Sequence, residues 1–479
     1  MRKHYRKYLI EYPEMCKSGD AIDSITSRRM KQRFYNPSIL KRFWILAWPT
    51  VIYALLETGV GMVDIYFAGF IGPEAVAAIG FSRQIFLVLL IGTLSITTGT
   101  ITMVSQYYGA HKYESASVVA YHSFLLSILA GIVFGLLGFL LARPSLVLMG
   151  AEDEVLRFGA GYLQILLGGV IFLLINFCTN AIFRALGDSK TPLKIAALIN
   201  LLNILFNYMF MFGFWLIPPF GVSGLAIGTI LARLIGSILS LRILTDRNRI
   251  VRLHYGATLQ FSIFRQLIRI GLPSGVSGFV RNGARILFFR LIAGTAAGTA
   301  AVAAATIGFQ FRLLAIMPSL AFQVAASALV GQSIGAKKLK EAEAYGWTSI
   351  QFCSLIMAFL SLLVFLFPTT IMQWFTDNLK VIALGQTALR FIALEQFCNS
   401  VSIVASGALS GAGDTKPAMH YTILSQWIIM IPLAAVLSFY TSLDIMGAWI
   451  AWGFAPVIQA ILTIIRFKRG KWKEIKAAV

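Results

Sequence analysis

A chain of 479 residues with 58% hydrophobic and 13% charged residues, and a mean hydropathy of +0.77, has too little polar surface to coat a soluble globule of that size. Its formal charge of +21 would suggest a nucleic-acid partner in a soluble protein, but the basic residues here fall between apolar segments, where anionic lipid headgroups receive them and no nucleic acid is needed. The 4 cysteines lack paired spacing and the 5 histidines form no HxxxH or HExxH cluster, which argues against a disulfide framework, a zinc site or a membrane metalloenzyme, so neither metal nor organic cofactor is expected.

In chain order, residues 1–42 are polar and basic and read as a cytoplasmic tail, not a cleaved signal peptide. About twenty apolar residues cross a bilayer core. On that ruler twelve transmembrane helices are predicted, near 44–70, 75–107, 116–142, 158–182, 190–217, 221–243, 264–294, 299–333, 343–367, 381–408, 415–440 and 445–466. Alternate loops collect the lysines and arginines, such as Arg242 to Arg269 and Lys337 to Lys340, while the intervening loops hold only Arg143, Arg157 and Lys380. The positive-inside rule then puts both termini in the cytoplasm of a multi-pass protein in the cell membrane. The predicted division is an N-lobe at 43–243, an inter-lobe linker at 244–263, a C-lobe at 264–466 and a second basic tail at 467–479.

Of the 20 acidic residues only Glu57, Asp64 and Glu395 fall in the interior of predicted spans, Glu343 standing at the very edge of one. An ionised carboxylate in hydrocarbon needs a partner, a proton or a watery cavity. Glu57 and Asp64 lie about two turns apart on one face of helix 1. On helix 5, Asn203 and Asn207 share a face, with Asn207 near the depth of Asp64, so these four residues are candidates for a polar pocket. Helix 7 carries Arg281 and Arg285 one turn apart, with Arg290 close enough to the outer edge to snorkel. On helix 10, Glu395 and Asn399 share a face. The structural expectation is an Arg281–Glu395 bridge; the functional one is a guanidinium lining a cavity and binding an anionic or zwitterionic substrate.

The chain also repeats itself. "RALGDSKTP" at Arg184 to Pro192 and "LSGAGDTKP" at Leu409 to Pro417 place Asp188 and Asp414 226 positions apart (414 − 188). "AVAAIGF" at Ala75 to Phe81 and "AVAAATIGF" at Ala301 to Phe309 open helices 2 and 8, followed by Arg83 and Arg312 and then by a "YGAHK" or "IGAKK" exit. A shift of six helices keeps both halves in one orientation, as parallel repeats around a central cavity. Within each repeated loop the glycine is expected to turn the chain and the aspartate to cap the next helix, with Ser189 an alternative cap for helix 5.

The doubled loops resemble the signature loops of the multidrug and toxic compound extrusion (MATE) family. "ETGVGMVDIYFAGFIG" at Glu57 to Gly72, "NILFNYMFMFG" at Asn203 to Gly213 and "FCNSVSIVASGALSGAGDTK" are similar to the family's first, fifth and tenth helices, and the likeness covers about residues 40–466. The resemblance implies a V-shaped exporter of two six-helix lobes, not an enzyme, that expels small organic and mostly cationic compounds in exchange for H⁺ or Na⁺. It implies that Asp64 is the N-lobe coupling carboxylate with Asn203 beside it. Asn207 stands where some members carry aspartate. NorM-type members have a glutamate in helix 7 and an aspartate in helix 10, and this chain has Arg281 and Asn399 there, which leaves coupling to Asp64. The related lipid-linked oligosaccharide flippases use cavity arginines on pyrophosphate and are the rival reading. A membrane-embedded transferase would need a clustered nucleophile, metal or base, and a passive channel would not need an isolated acid opposite asparagines. A monomer is expected.

Overall fold

The computed structural model describes residues 37–253, 258–296 and 298–475. The predicted tail therefore lies outside the described residues up to position 36, as do parts of the predicted linker and of the C-terminal tail. The fold is all-helical. In order, the helices are α1 (Pro37–Ala68), α2 (Pro73–Gly109), α3 (Tyr113–Leu148), the broken α4 (Asp153–Gly168 and Val170–Ala185), α5 (Lys190–Phe212) and α6 (Val222–Leu244). They continue as α7 (Phe261–Ala293), the broken α8 (Gly298–Ala315 and Met317–Gly335), α9 (Leu339–Leu366), α10 (Leu379–Gly411), α11 (Thr415–Phe439) and α12 (Ile445–Arg469).

Local chemistry accounts for the ends and breaks. Pro73 opens α2, where the missing amide hydrogen would be unpaired anyway. The Asn378 side chain accepts from the amides of Lys380 and Val381 to start α10. Gly470, at φ 71°, ends α12 in the left-handed region. α4 bends by 46° at Gly169. In α11 the turns widen over Leu424–Met430 just before Pro432, which cannot donate to the helical ladder.

Among the described residues nine helices are long and apolar enough to cross a membrane, and counting the bent pairs in α2 and α4 brings the total to 11. The one left over is α7. It has 33 residues, ample for a bilayer, but carries Arg265, Arg269, Arg281, Arg285 and Arg290.

Several apolar cores belong to one half of the chain. Phe67, Ile79, Tyr162 and Leu225 pack within the first half, and Phe288, Met430, Trp449 and Trp452 within the second. Another core joins the halves: Phe43, Leu46, Ile101 and Ala181 pack with Phe322, Leu329, Val404 and Leu409. These contributors come from the first half of α1 and the late turns of α2, α4, α8 and α10, so the lobes meet on the face that carries the repeated loops.

The contact on that face follows the repeat. Gln106 Nε2 donates to the Gly411 carbonyl (2.9 Å), and Gln332 Nε2 donates to the Ala185 carbonyl (2.8 Å). Gln106 and Gln332 stand 226 positions apart, as do Ala185 and Gly411. Each lobe's glutamine thus holds the start of the other lobe's repeated loop. Close approach makes this possible: a methyl group on Gly335 would run into the Gln106 carbonyl, and one on Gly271 into that of Ser95.

Candidate functional site

In the N-lobe, α1 delivers Asp64 from near its end, and the side chain is only 3% exposed. Asn207 Nδ2 on α5 donates to Asp64 Oδ1 (2.7 Å), and the Tyr162 hydroxyl on α4 donates to Oδ2 (2.8 Å). The Thr229 hydroxyl on α6 lies 3.3 and 3.4 Å from the two oxygens. Asn203 supports this shell, donating to Thr229 Oγ1 (2.8 Å) and Asn207 Oδ1 (3.3 Å). Its own Oδ1 is buried without a partner among the described residues. The donors around Asp64 are all neutral, and no ion pair reaches it among the described residues. A carboxylate enclosed this way in a membrane interior, beside an unpaired acceptor, is suited to hold a proton or a small cation.

Glu57 does not join this shell. It pairs with Arg233 of α6 (3.1 Å) and accepts from the Tyr53 hydroxyl (3.1 Å). Asn180 Nδ2 in turn donates to that hydroxyl (3.0 Å), and the Arg184 guanidinium sits 4.1 Å above the Tyr53 ring. A second polar cluster therefore runs from Glu57 to the first repeated loop. An arginine inside an apolar run, as at Arg233 in "GTILARLIGS", signals an embedded charge as clearly as the acids do. Tyr162 and Thr229 carry no such signal, because hydroxyls are ordinary in membrane helices.

In the C-lobe the predicted Arg281–Glu395 bridge is not formed. Glu395, 1% exposed, is instead gripped by Arg312: Nε to Oε2 at 2.8 Å and Nη2 to Oε1 at 2.9 Å. Arg312 is the arginine that comes after the repeated segment ending at Phe309, and α8 sets it against α10, where the planar fork matches the carboxylate. Its counterpart Arg83 lies against α1 at Gly61. Arg281 is exposed and makes no ion pair among the described residues, whereas Arg285 donates to Asn282 Oδ1 (2.6 Å). Asn399 is buried one turn beyond Glu395. Among the described residues no group of three His, Cys, Asp or Glu side chains could hold a metal ion.

The repeated loops share a backbone and divide in their side chains. Gly187 and Gly413 both turn the chain at positive φ, 88° and 83°. Asp188 caps α5 as predicted, accepting from the Thr191 amide (3.0 Å) and hydroxyl (2.7 Å). Asp414 makes no such cap, because α12 brings Arg466 to it and takes both carboxylate oxygens, at 2.8 and 3.1 Å.

Comparison with known proteins supplies the family context. The MatE family model matches residues 49–209 and 273–436. The chain is 27% identical to the probable multidrug resistance protein NorM of Thermotoga maritima, covering 91% of this chain and 94% of that one. It is also 27% identical to the uncharacterized transporter YisQ of Bacillus subtilis, over 92% and 99% of the respective chains. Among solved structures, a MATE protein in the bent conformation superposes with a TM-score of 0.84 at 23% identity, covering 90% of this chain and 95% of that one. A MOP superfamily transporter from Pyrococcus furiosus, described as having a binding pocket of reversed polarity, superposes with a TM-score of 0.83 at 23% identity over 93% and 98%.

Proposed function

The chain belongs to the MatE family, and from that premise we propose that it is a secondary active antiporter that exports amphipathic organic compounds in exchange for H⁺ or Na⁺. Asp64 is the coupling carboxylate. The observation that carries this reading is the enclosure of Asp64, among the described residues, by neutral donors alone, from Asn207, Tyr162 and Thr229. Arrival or loss of one positive charge there changes the electrostatic cost of the whole shell. Asn203, with an unpaired oxygen, supports the same site. The joined lobes on the repeated-loop face suit the outward-open stage of an alternating-access cycle in which that face is cytoplasmic.

The test is transport in proteoliposomes with proton and sodium gradients imposed separately. Asp64→Asn keeps the shape of the side chain and removes its charge, so gradient-driven export falls at least about tenfold, the loss expected when a required charge site is gone, while protein level and insertion are unchanged. Undiminished export by this variant under either gradient sinks the assignment.

A specific observation favours a second reading of the substrate. Arg281 is exposed and unbridged among the described residues, and Arg285 is one turn away, so the C-lobe offers positive charge to an anionic or zwitterionic group, as in a flippase of anionic lipid-linked substrates. Arg281→Met then stays folded and shifts preference from anionic toward cationic dyes. Equal transport of both dye classes by wild type and variant removes this reading.

A further inference from the structure

On the repeated-loop face a cavity of about 730 Å³ opens between the start of α7 and the second repeated loop. Arg265 and Arg269, one helical turn apart on α7, and Lys416, in the first turn of α11, line it, and all three are exposed. None of the three makes an ion pair among the described residues. The carboxylate in the wall, Asp414, is already neutralised by the two-pronged grip of Arg466. Among the described residues the cavity therefore presents three cations whose only carboxylate neighbour, Asp414, is already taken. Such a concentration of like charge is self-repelling unless an anion sits among it.

The surroundings say what kind of anion. Phe261, Arg265, Ile268, Arg269 and Leu272 fall on one stripe of α7, and the apolar members are well exposed, at 81%, 46% and 53%. Charge stands at the helix start and apolar surface continues along the same face into the span. We propose that this cavity binds a phosphate-bearing anion, with an acidic lipid as the favoured source: its headgroup lies between Arg265, Arg269 and Lys416, and its chains lie along α7. The bound anion ties α7 to the loop between α10 and α11. This reading is independent of which compound is exported.

The experiment uses the purified full chain in neutral detergent. Phosphatidylglycerol, phosphatidylcholine and inorganic phosphate are titrated separately, with binding read by native mass spectrometry and by thermal unfolding. Two arginines near an anionic headgroup together account for a roughly 30-fold change in affinity, so the double variant Arg265→Gln/Arg269→Gln binds phosphatidylglycerol about that much more weakly. Lys416→Gln, an exposed single change that guards against misfolding of the double variant, weakens it severalfold. Arg290→Gln, at the far end of α7, leaves it unchanged. Inorganic phosphate that binds to wild type and is lost in the same variants supports the site with a soluble anion as its source. Equal phosphatidylglycerol binding by wild type, the double variant and Lys416→Gln overturns the proposal, as does stabilisation by phosphatidylcholine equal to that by phosphatidylglycerol.

Discussion

At the scale of the residue, the C-lobe shows how a buried carboxylate selects its partner. The sequence pointed to Arg281 as the partner of Glu395, and the fold instead brings Arg312, whose side chain is 20% exposed and meets it in a two-point fork. Removing one member of such a pair strands the other in a low dielectric, at a cost of about 3–5 kcal/mol. Glu395→Gln and Arg312→Met are therefore each expected to lower the thermal stability of the purified protein, and the double variant to recover most of the loss. Arg281→Met, which breaks no ion pair among the described residues, should leave the melting temperature close to wild type. A double variant no better than the sum of its parts would show that the fork contributes little. The N-lobe carboxylate was legible in the sequence because Asp64 interrupts an apolar run and the two asparagines sit four residues apart. Its hydroxyl partners were not, since Tyr162 and Thr229 approach it only through the packing of α4 and α6. Arg233 was in plain view and is the true partner of Glu57.

At the scale of the element, two loops of matching sequence have ended in different chemistry. The turn is set by the glycine in both, so it is local and readable from sequence; the fate of the aspartate depends on what lies beside it. Next to Asp188 is the partly exposed Arg249 at 3.5 Å, leaving the carboxylate free to cap α5. Next to Asp414 is Arg466, which consumes both oxygens. Asp188→Asn keeps a capping oxygen and is expected to change stability by less than about 0.5 kcal/mol, within the spread among good capping residues. Asp414→Asn loses charge-assisted bonds and should cost about 2 kcal/mol. Thermal unfolding of the two variants side by side gives the comparison, and equal losses would return both aspartates to a single role. Eleven of the spans were readable from hydropathy and α7 from its length; the breaks in α4 and α8 and the widened turns of α11 were not, because a bend of one helix against its neighbours leaves little trace in average hydropathy.

At the scale of the whole molecule, the two lobes clasp each other through bonds related by the internal repeat. Gln106 and Gln332 reach across to Gly411 and Ala185. If these bonds exist only while the repeated-loop face is shut, they bias the balance between the two access states. Losing one hydrogen bond of about 1 kcal/mol shifts such a balance roughly fivefold. Gln106→Ala and Gln332→Ala are each expected to raise the share of molecules open on that face by this amount, read as longer distances between spin labels at positions 190 and 416. Unchanged distance distributions in both variants would mean that the glutamines do not gate opening. The arginine content of α7 has a consequence for how the protein is made. An arginine near the middle of a lone membrane helix opposes insertion by about 2.5–3.5 kcal/mol, and α7 has Arg281 and Arg285 in its central region. Gly271 is seated on Ser95 of α2, so α7 is expected to enter the bilayer against an α2 that is already there. Biosynthesis is then expected to be ordered, with the first half of the polypeptide serving as the template on which the second half is threaded. A fragment from residue 258 onward, produced alone with glycosylation acceptors flanking α7, should leave that helix untranslocated, and co-production of residues 1–257 should restore it; efficient insertion of the lone fragment would show that the second half needs no such template.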